Sequence, residues 1–261
     1  MADDPSIQTD VLANFRGYLM GWGGGGTEGE VDLFRSGLAA PQFNGVVRLR
    51  SGTAVDQAVA SARSRLARVP WWWWVGPDSP YGTASALARA GGRLLAVMPI
   101  MTRLLDRPGG TAPGVAPAQT RGLSGLRVEE VRGVRGVAEV VRTYRTSMGL
   151  APSLQAALVR AETGRGDNAD IVRLAAVLDG QVVGSTVVVT THGVAGVFLV
   201  HVAEACRRRG VGTALTAEAL RVGRERGMRL AALVASAAGE SLYRRAGFTA
   251  VCQYRLFGFP D

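Results

Sequence analysis

The segment VHVAEACRRRGVGTAL, residues 200–215, gathers the groups best suited to grip an anion. Arg207, Arg208 and Arg209 run directly into Gly210-Val211-Gly212 and Thr213. An apolar, β-branched run leads into the arginines, and helical spacing follows the glycines. Glycines at such a turn let backbone N–H groups approach a ligand closely. The first N–H groups of the helix have no partner within it and sit at the positive end of its dipole. Guanidinium groups add charge-assisted hydrogen bonds. The chemistry that fits is the holding of a phosphate or pyrophosphate. The dinucleotide fingerprint G-x-G-x-x-G is not met, because its third glycine position is Leu215. The reading without chemistry is a plain strand-to-helix turn.

A second segment follows downstream. Ser236 to Phe248 read SAAGESLYRRAGF, small residues and then a short helix stopped by Gly247. Here the chain resembles the GCN5-related N-acetyltransferase (GNAT) superfamily. Arg207–Gly212 is similar to that family's Arg/Gln-x-x-Gly-x-Gly/Ala motif. Ser236–Phe248 resembles its Asn-x-x-Ala-x-x-Leu-Tyr-x-x-x-Gly-Phe segment, with Ser236 where the family often has Asn. The resemblance covers roughly residues 126–258. It implies acetyl-CoA as cosubstrate, with its pyrophosphate held by Arg207, Arg208, Arg209, Gly210, Val211, Gly212 and Thr213. Val200, His201 and Val202 would lie beside the pantetheine arm, and the N–H of Val202 would polarise the thioester carbonyl. Ser236 would hydrogen-bond the cofactor, and Tyr243 would protonate the leaving thiolate as general acid. The reading of Tyr243 without catalysis is a core tyrosine on a short helix.

The resemblance supplies no general base. The family often places Glu or His early in its fourth strand, where this chain has VAGVFLV. His201, His192 and Glu204 are the nearby alternatives, and each has a structural reading beside it. No metal is expected.

The elements that must position these residues read in order. LRVEEV (126–131) suggests a strand, and 136–149 and 152–162 carry helical periodicity. Residues 171–202 are β-rich, with Asp179-Gly180 and His192-Gly193 marking two hairpins. Residues 210–227 form a long helix with Gly227 as C-cap, 229–236 a buried strand, 239–248 a short helix and 249–258 a last strand.

The first part of the chain repeats the pattern weakly. FNGVVRLR (43–50) is a strand and 54–69 a helix. PWWWWVGP (70–77) then stands where the buried strand 229–236 stands downstream. Alternate indoles would face opposite sides of a sheet, which favours a packed core over a ligand platform. A short helix, Ala-Gly and a final strand follow, with LARAGG (87–92) standing against YRRAGF (243–248). This half has RLRSGTAVD in place of the arginine-glycine motif, and Leu87 where Tyr243 would align. It is read as a degenerate acetyltransferase-like lobe that binds no CoA and shapes the acceptor site. GYLMGWGGGGTEGE (17–30) is read as a mobile loop.

The expected architecture is α/β (α+β): two GNAT-like lobes, each a mixed, mostly antiparallel sheet flanked by helices. The lobes span 1–105 and 126–261, and a Pro/Gly-rich linker (106–125) joins them.

Composition narrows the function. The net charge is +9, and all 30 basic residues are arginine. Without lysine there is no Walker A loop, no pyridoxal phosphate Schiff base and no lysine nucleophile. The arginine bias, with abundant Ala, Gly and Val, reads as the coding bias of a GC-rich bacterial genome. Apart from Arg207–Arg209 the arginines are scattered, so nucleic acid is not the expected partner. Cys206 and Cys252 fit no zinc spacing and read as free thiols in a reducing cytoplasm. No secretory signal or membrane-length apolar run is evident. The expected function is acetyl-CoA-dependent N-acetyl transfer to an amine of a small molecule or peptide, by direct attack in a ternary complex. The alternative is an acyl-CoA-binding regulatory or scaffold protein without turnover. A homodimer is left open.

Overall fold

The computed structural model describes residues 5–23, 29–51, 55–105 and 123–259. In chain order the first elements are α1 (Pro5–Met20), β1 (Val31–Arg35), β2 (Asn44–Leu49), α2 (Val55–Arg65), β3 (Trp72–Val75), α3 (Thr83–Arg89) and β4 (Arg93–Leu104). They are followed by β5 (Arg127–Glu130), α4 (Gly133–Ser147), α5 (Gln155–Thr163), β6 (Ile171–Leu178), β7 (Gln181–Thr191), β8 (Val194–Val202), α6 (Val211–Glu225), β9 (Leu230–Val234), α7 (Glu240–Arg245) and β10 (Thr249–Gly258). The second half keeps the order expected from its periodicity. The fold is α/β with mixed, mostly antiparallel sheet. Among the described residues no helix is long and apolar enough to cross a membrane.

The chain divides into two compact units, Met1–Ile100 with Ala250–Asp261, and Met101–Thr249. This differs from the expected lobes 1–105 and 126–261. The last strand belongs to the first unit because β10 pairs antiparallel with β3, Leu256 opposite Trp74 and Phe257 opposite Trp73. Met101 and Leu105 belong to the second unit because they pack in its core. Of the expected linker 106–125, residues 106–122 lie outside the described residues. The expected loop 17–30 is corrected at its start: residues 17–20 are the last turn of α1, and residues 24–28 lie outside the described residues.

In the first unit the strand order is β1-β2-β3-β10-β4. The parallel pair β2–β3 brings Gly45 opposite Trp72. A Cβ at 45 would fall 2.1 Å from the Trp72 carbonyl oxygen, so this approach needs glycine. The tryptophans alternate between faces, as a strand requires. Trp73 is fully buried among Val46, Leu66, Leu87 and Phe257. Trp74 lies on the other face, its ring 5.3 Å from Phe15 and 5.7 Å from Tyr254, edge-on to both. Trp71 stacks on Phe259 at 4.8 Å. The run is a core strand.

Asn44 fixes where that strand begins. It is fully buried, and its amide donates to the carbonyls of Leu38, Ala40 and Pro70 at 2.8, 3.1 and 3.1 Å. Its oxygen accepts from the N–H groups of Ser36 and Gly37 at 3.0 and 3.1 Å. One side chain thus replaces the ladder that this bend lacks.

In the second unit β5, β6, β7 and β8 form antiparallel neighbours and β9 joins β8 in parallel through the α6 crossover. Both hairpins turn where expected, with positive φ at Asp179, Gly180, His192 and Gly193. α6 covers one face: a Cβ at Gly184 would fall 2.9 Å from Val211 Cγ1 and 3.0 Å from Leu215 Cδ1. The core on that side takes in Leu174, Ala176, Val188, Leu215, Ala219 and Leu220. Side chains one residue out of step point to the opposite face, where α4 lies.

Asn44→Ala removes the five hydrogen bonds of this side chain to backbone groups and is expected to lower stability by roughly 3 kcal/mol. Asn44→Asp turns the donor to those carbonyls into a charged acceptor and is expected to cost more. Urea unfolding followed by tryptophan fluorescence measures both. Equal stability of all three proteins would refute the role given to Asn44.

Candidate active site

The site grows from the way β8 leaves its two neighbours. On one side the parallel ladder with β9 holds for three pairs, Val194–Leu230, Ala195–Ala231 and Gly196–Ala232. Beyond Gly196 the strands part. On the other side the register with β7 slips: Ser185 faces His201 but Val187 faces Phe198. Leu199 and Val200 therefore share one opposite residue, Thr186. This is a bulge, and Leu199 carries it with φ +50°. The buried Thr186 hydroxyl donates to the Phe198 carbonyl at 2.8 Å, supplying a contact the broken ladder omits.

Below the bulge the ladder resumes. The Ala203 N–H donates to the Val183 carbonyl at 2.8 Å, with Gly184 opposite Val202. That makes Gly184–Val202 the non-hydrogen-bonded kind of pair. The N–H and C=O of Val202 consequently point away from β7, to the side where β9 has left. Its carbonyl accepts from Arg207 Nε at 3.2 Å. Val200 and Val202 are half-buried, packed against the core.

The turn after β8 winds tightly into α6. Arg208 has φ +61°, and Gly210, the N-cap, has φ +93°. No side chain caps the helix, and its first internal bond is Ala214 N–H to Gly210 O at 3.0 Å. The N–H groups of Val211, Gly212 and Thr213 precede that bond and have no carbonyl one turn back. Arg207 and Arg208 are exposed and Arg209 is half-buried. A Cβ at Gly212 would meet Leu242 Cδ1 at 3.0 Å and Val202 Cγ2 at 3.9 Å. The helix start thus sits between the end of β8 and α7, and Gly184 lets it press against β7.

α7 brings Tyr243 to the same end of the unit. Tyr243 is buried, 6.0 Å and edge-on from Phe248. Burial pushes its phenol up to about 12. Ser236 is exposed, and its hydroxyl accepts from the Gly239 N–H at 3.3 Å while its carbonyl accepts from Gly239 and Glu240 at 2.9 and 3.0 Å. It caps α7.

The histidines separate. His192 sits in the hairpin turn before β8, nine residues of strand from Val202, or about 26 Å. His201 is at the site. Its Nδ1 lies 3.0 Å from the Ser147 hydroxyl, and its ring is 6.5 Å from Tyr144. Burial first, and the Arg207 charge second, bring its pKa down to about 4. It is neutral at physiological pH. Glu204 is exposed, in the short turn before Arg207. Among the described residues no three His, Cys, Asp or Glu side chains stand together to hold a metal ion.

The expected residues from Val200 to Thr213 and Tyr243 come together around the parting of β8 and β9. Ser147, Thr186 and Leu199 escaped the sequence reading. A lone glycine inside a β-rich run was the one available signal, and it points to Gly184, where a helix approaches.

Comparison with known proteins agrees with this geometry. Residues 140–248 match the family model described as Acetyltransferase (GNAT) family. No curated protein sequence matches the chain. A GCN5-related N-acetyltransferase from Kribbella flavida has a similar structure, with TM-score 0.69, 16% identity and 96% of each chain covered. One from Sphaerobacter thermophilus gives 0.61 at 20% identity, over 87% of this chain and 75% of that one. A tandem GNAT protein from the clavulanic acid biosynthesis pathway gives 0.58 at 16% identity, over 88% and 79%. These likenesses concern the fold, and the last is consistent with a two-lobed arrangement. The family match covers the parted strands, the arginine turn and the tyrosine helix, so the chain carries, over residues 140–248, an acetyltransferase domain of the GNAT family.

Proposed function

We propose that the chain transfers the acetyl group of acetyl-CoA to an amine of a small molecule or peptide, by direct attack in a ternary complex. The observation that carries this reading is the parting of β8 from β9 beside an uncapped helix start flanked by three arginines. A chain that only needed a turn there would have no use for open N–H groups, positive φ at Arg208 and Gly210, and concentrated charge together. The residues fit the cofactor on both counts, an anion cradle and a strand edge.

Acetyl-CoA supplies an acetyl group activated as a thioester. Arg207, Arg208 and Arg209, with the N–H groups from Gly210 to Thr213, hold its diphosphate. Val200, His201 and Val202 present the edge along which the pantetheine arm lies. The Val202 N–H donates to the thioester oxygen, where negative charge develops as the amine attacks. Tyr243 gives its proton to the sulfur as the C–S bond breaks. A phenol held near 12 stays protonated throughout the physiological range, so the donor is always loaded. The hydroxyl of Ser236 accepts from the N–H of Gly239, the N-cap of α7, and gives its own hydrogen to the cofactor. The first unit lacks the arginine-glycine motif after β2, so one cofactor binds per chain.

Calorimetric titration with acetyl-CoA is expected to give one site per chain. Gly210→Trp with Gly212→Trp, its fold checked by circular dichroism, is expected to abolish that binding. Two sites would overturn the reading of the first unit, and no binding by the wild type would overturn the cofactor assignment. Tyr243→Phe is expected to lower kcat by about 100-fold or more while leaving acetyl-CoA affinity within about twofold. Because Tyr243 loses its proton only near pH 12, the wild-type rate should show no alkaline fall due to this group below about pH 11. A kcat unchanged in Tyr243→Phe would remove it from the chemistry.

A further inference from the structure

Ser147 ends α4, and its hydroxyl oxygen faces two groups of the site. It lies 3.0 Å from His201 Nδ1 and 3.5 Å from an Arg207 guanidinium nitrogen. A hydroxyl has one hydrogen to give and two lone pairs, while a guanidinium only donates. With Arg207 alongside, the serine oxygen accepts from the arginine side and turns its own hydrogen toward His201 Nδ1. This arrangement puts the ring proton on Nε2, and it is favoured because a hydrogen on Nδ1 would meet the Arg207 N–H at the same oxygen. With Arg207 elsewhere, Nδ1–H can donate to the serine oxygen instead, and Nε2 carries a bare lone pair. Which nitrogen is protonated is decided by the bond the other makes.

The groups facing the imidazole leave Arg207 as the charge it feels. From α4 come Ser147 and Tyr144. From β7 comes Ser185, directly opposite in the ladder. Beyond Tyr144, Glu162 accepts from the phenol at 3.4 Å but is already paired with Arg173 at 2.6 Å. Arg207 itself is tied to the Val202 carbonyl, on the edge assigned above to the pantetheine arm. A ligand that takes this edge and offers phosphates draws the guanidinium away.

We propose that Ser147 is a positioning residue that couples Arg207 to His201, so that movement of Arg207 onto a diphosphate switches the His201 proton from Nε2 to Nδ1 and leaves Nε2 able to accept a proton. The proposal rests on the reading that Arg207 binds the cofactor diphosphate. It gives the site a proton acceptor only when the cofactor is present, and it accounts for a strand histidine that is a poor base without ligand.

The chain has two histidines, so NMR of the protein carrying ¹⁵N-labelled imidazole resolves both, and His192→Asn assigns them. Free wild type is expected to show His201 as the Nε2–H tautomer, with its pKa about 4. Arg207→Ala without ligand is expected to give the Nδ1–H tautomer and to raise that pKa, because the Arg207 charge is the second cause that lowers it. Saturating CoA should do the same to the wild type. Ser147→Ala should abolish the tautomer change in both settings, and Ser147→Thr should restore it. An Arg207→Ala spectrum identical to wild type would overturn the coupling itself. A shift in Arg207→Ala with none from CoA, at concentrations where calorimetry shows binding, would overturn the move of Arg207 onto the diphosphate. An absence of CoA binding would instead sink the cofactor reading, with the Arg207→Ala arm still deciding the coupling.

Discussion

A backbone polar group removed from its ladder must find another partner, and the second unit is arranged around that debt. β8 keeps β9 for three pairs and then loses it. Its remaining N–H and C=O groups on that side need a donor or acceptor from elsewhere. The Val202 carbonyl finds Arg207, and the bulge at Leu199 changes which side each following group faces. The arginine turn, the uncapped helix and the tyrosine helix all stand at the mouth of this gap. Without the parting they would surround an ordinary sheet.

The arrangement depends on small residues in places where a side chain would push elements apart. Gly184 lets α6 lie against β7, and Gly212 lets it lie against α7. The first unit uses the same device for a different end. Gly45 brings β2 against the Trp72 backbone, and the space around that pair is filled by indole. Both units follow a parallel strand pair with a short helix. One leaves room at the end of the pair and the other packs it with Trp73, a fully buried ring.

Much of the second unit could be read before any coordinates. Its hairpins announce themselves by Asp-Gly and His-Gly, its long helix by spacing and by Gly227, and the turn into that helix by three arginines before Gly-Val-Gly. These are local signals. What escaped was set by register and by contacts distant in sequence. Leu199 has no composition that marks a bulge. Ser147 is one serine at the end of a helix until a strand 54 positions later brings His201 to it. α1 was missed because its helical pattern runs into a glycine tract that reads as loop. The placing of β10 in the first unit was missed because an alternating strand carries no mark of which sheet will take it.

That placement bears on how the protein is made. A ribosome delivers the chain from its first residue onward, and domains tend to fold as they emerge. Here the first unit lacks one inner strand until residues 249–258 have been synthesised. For that interval β3 has an unmatched hydrogen-bonding edge next to four indoles, the kind of surface that recruits a wrong strand. The order of synthesis and the order of completion run in opposite directions: the unit begun first is the one finished last.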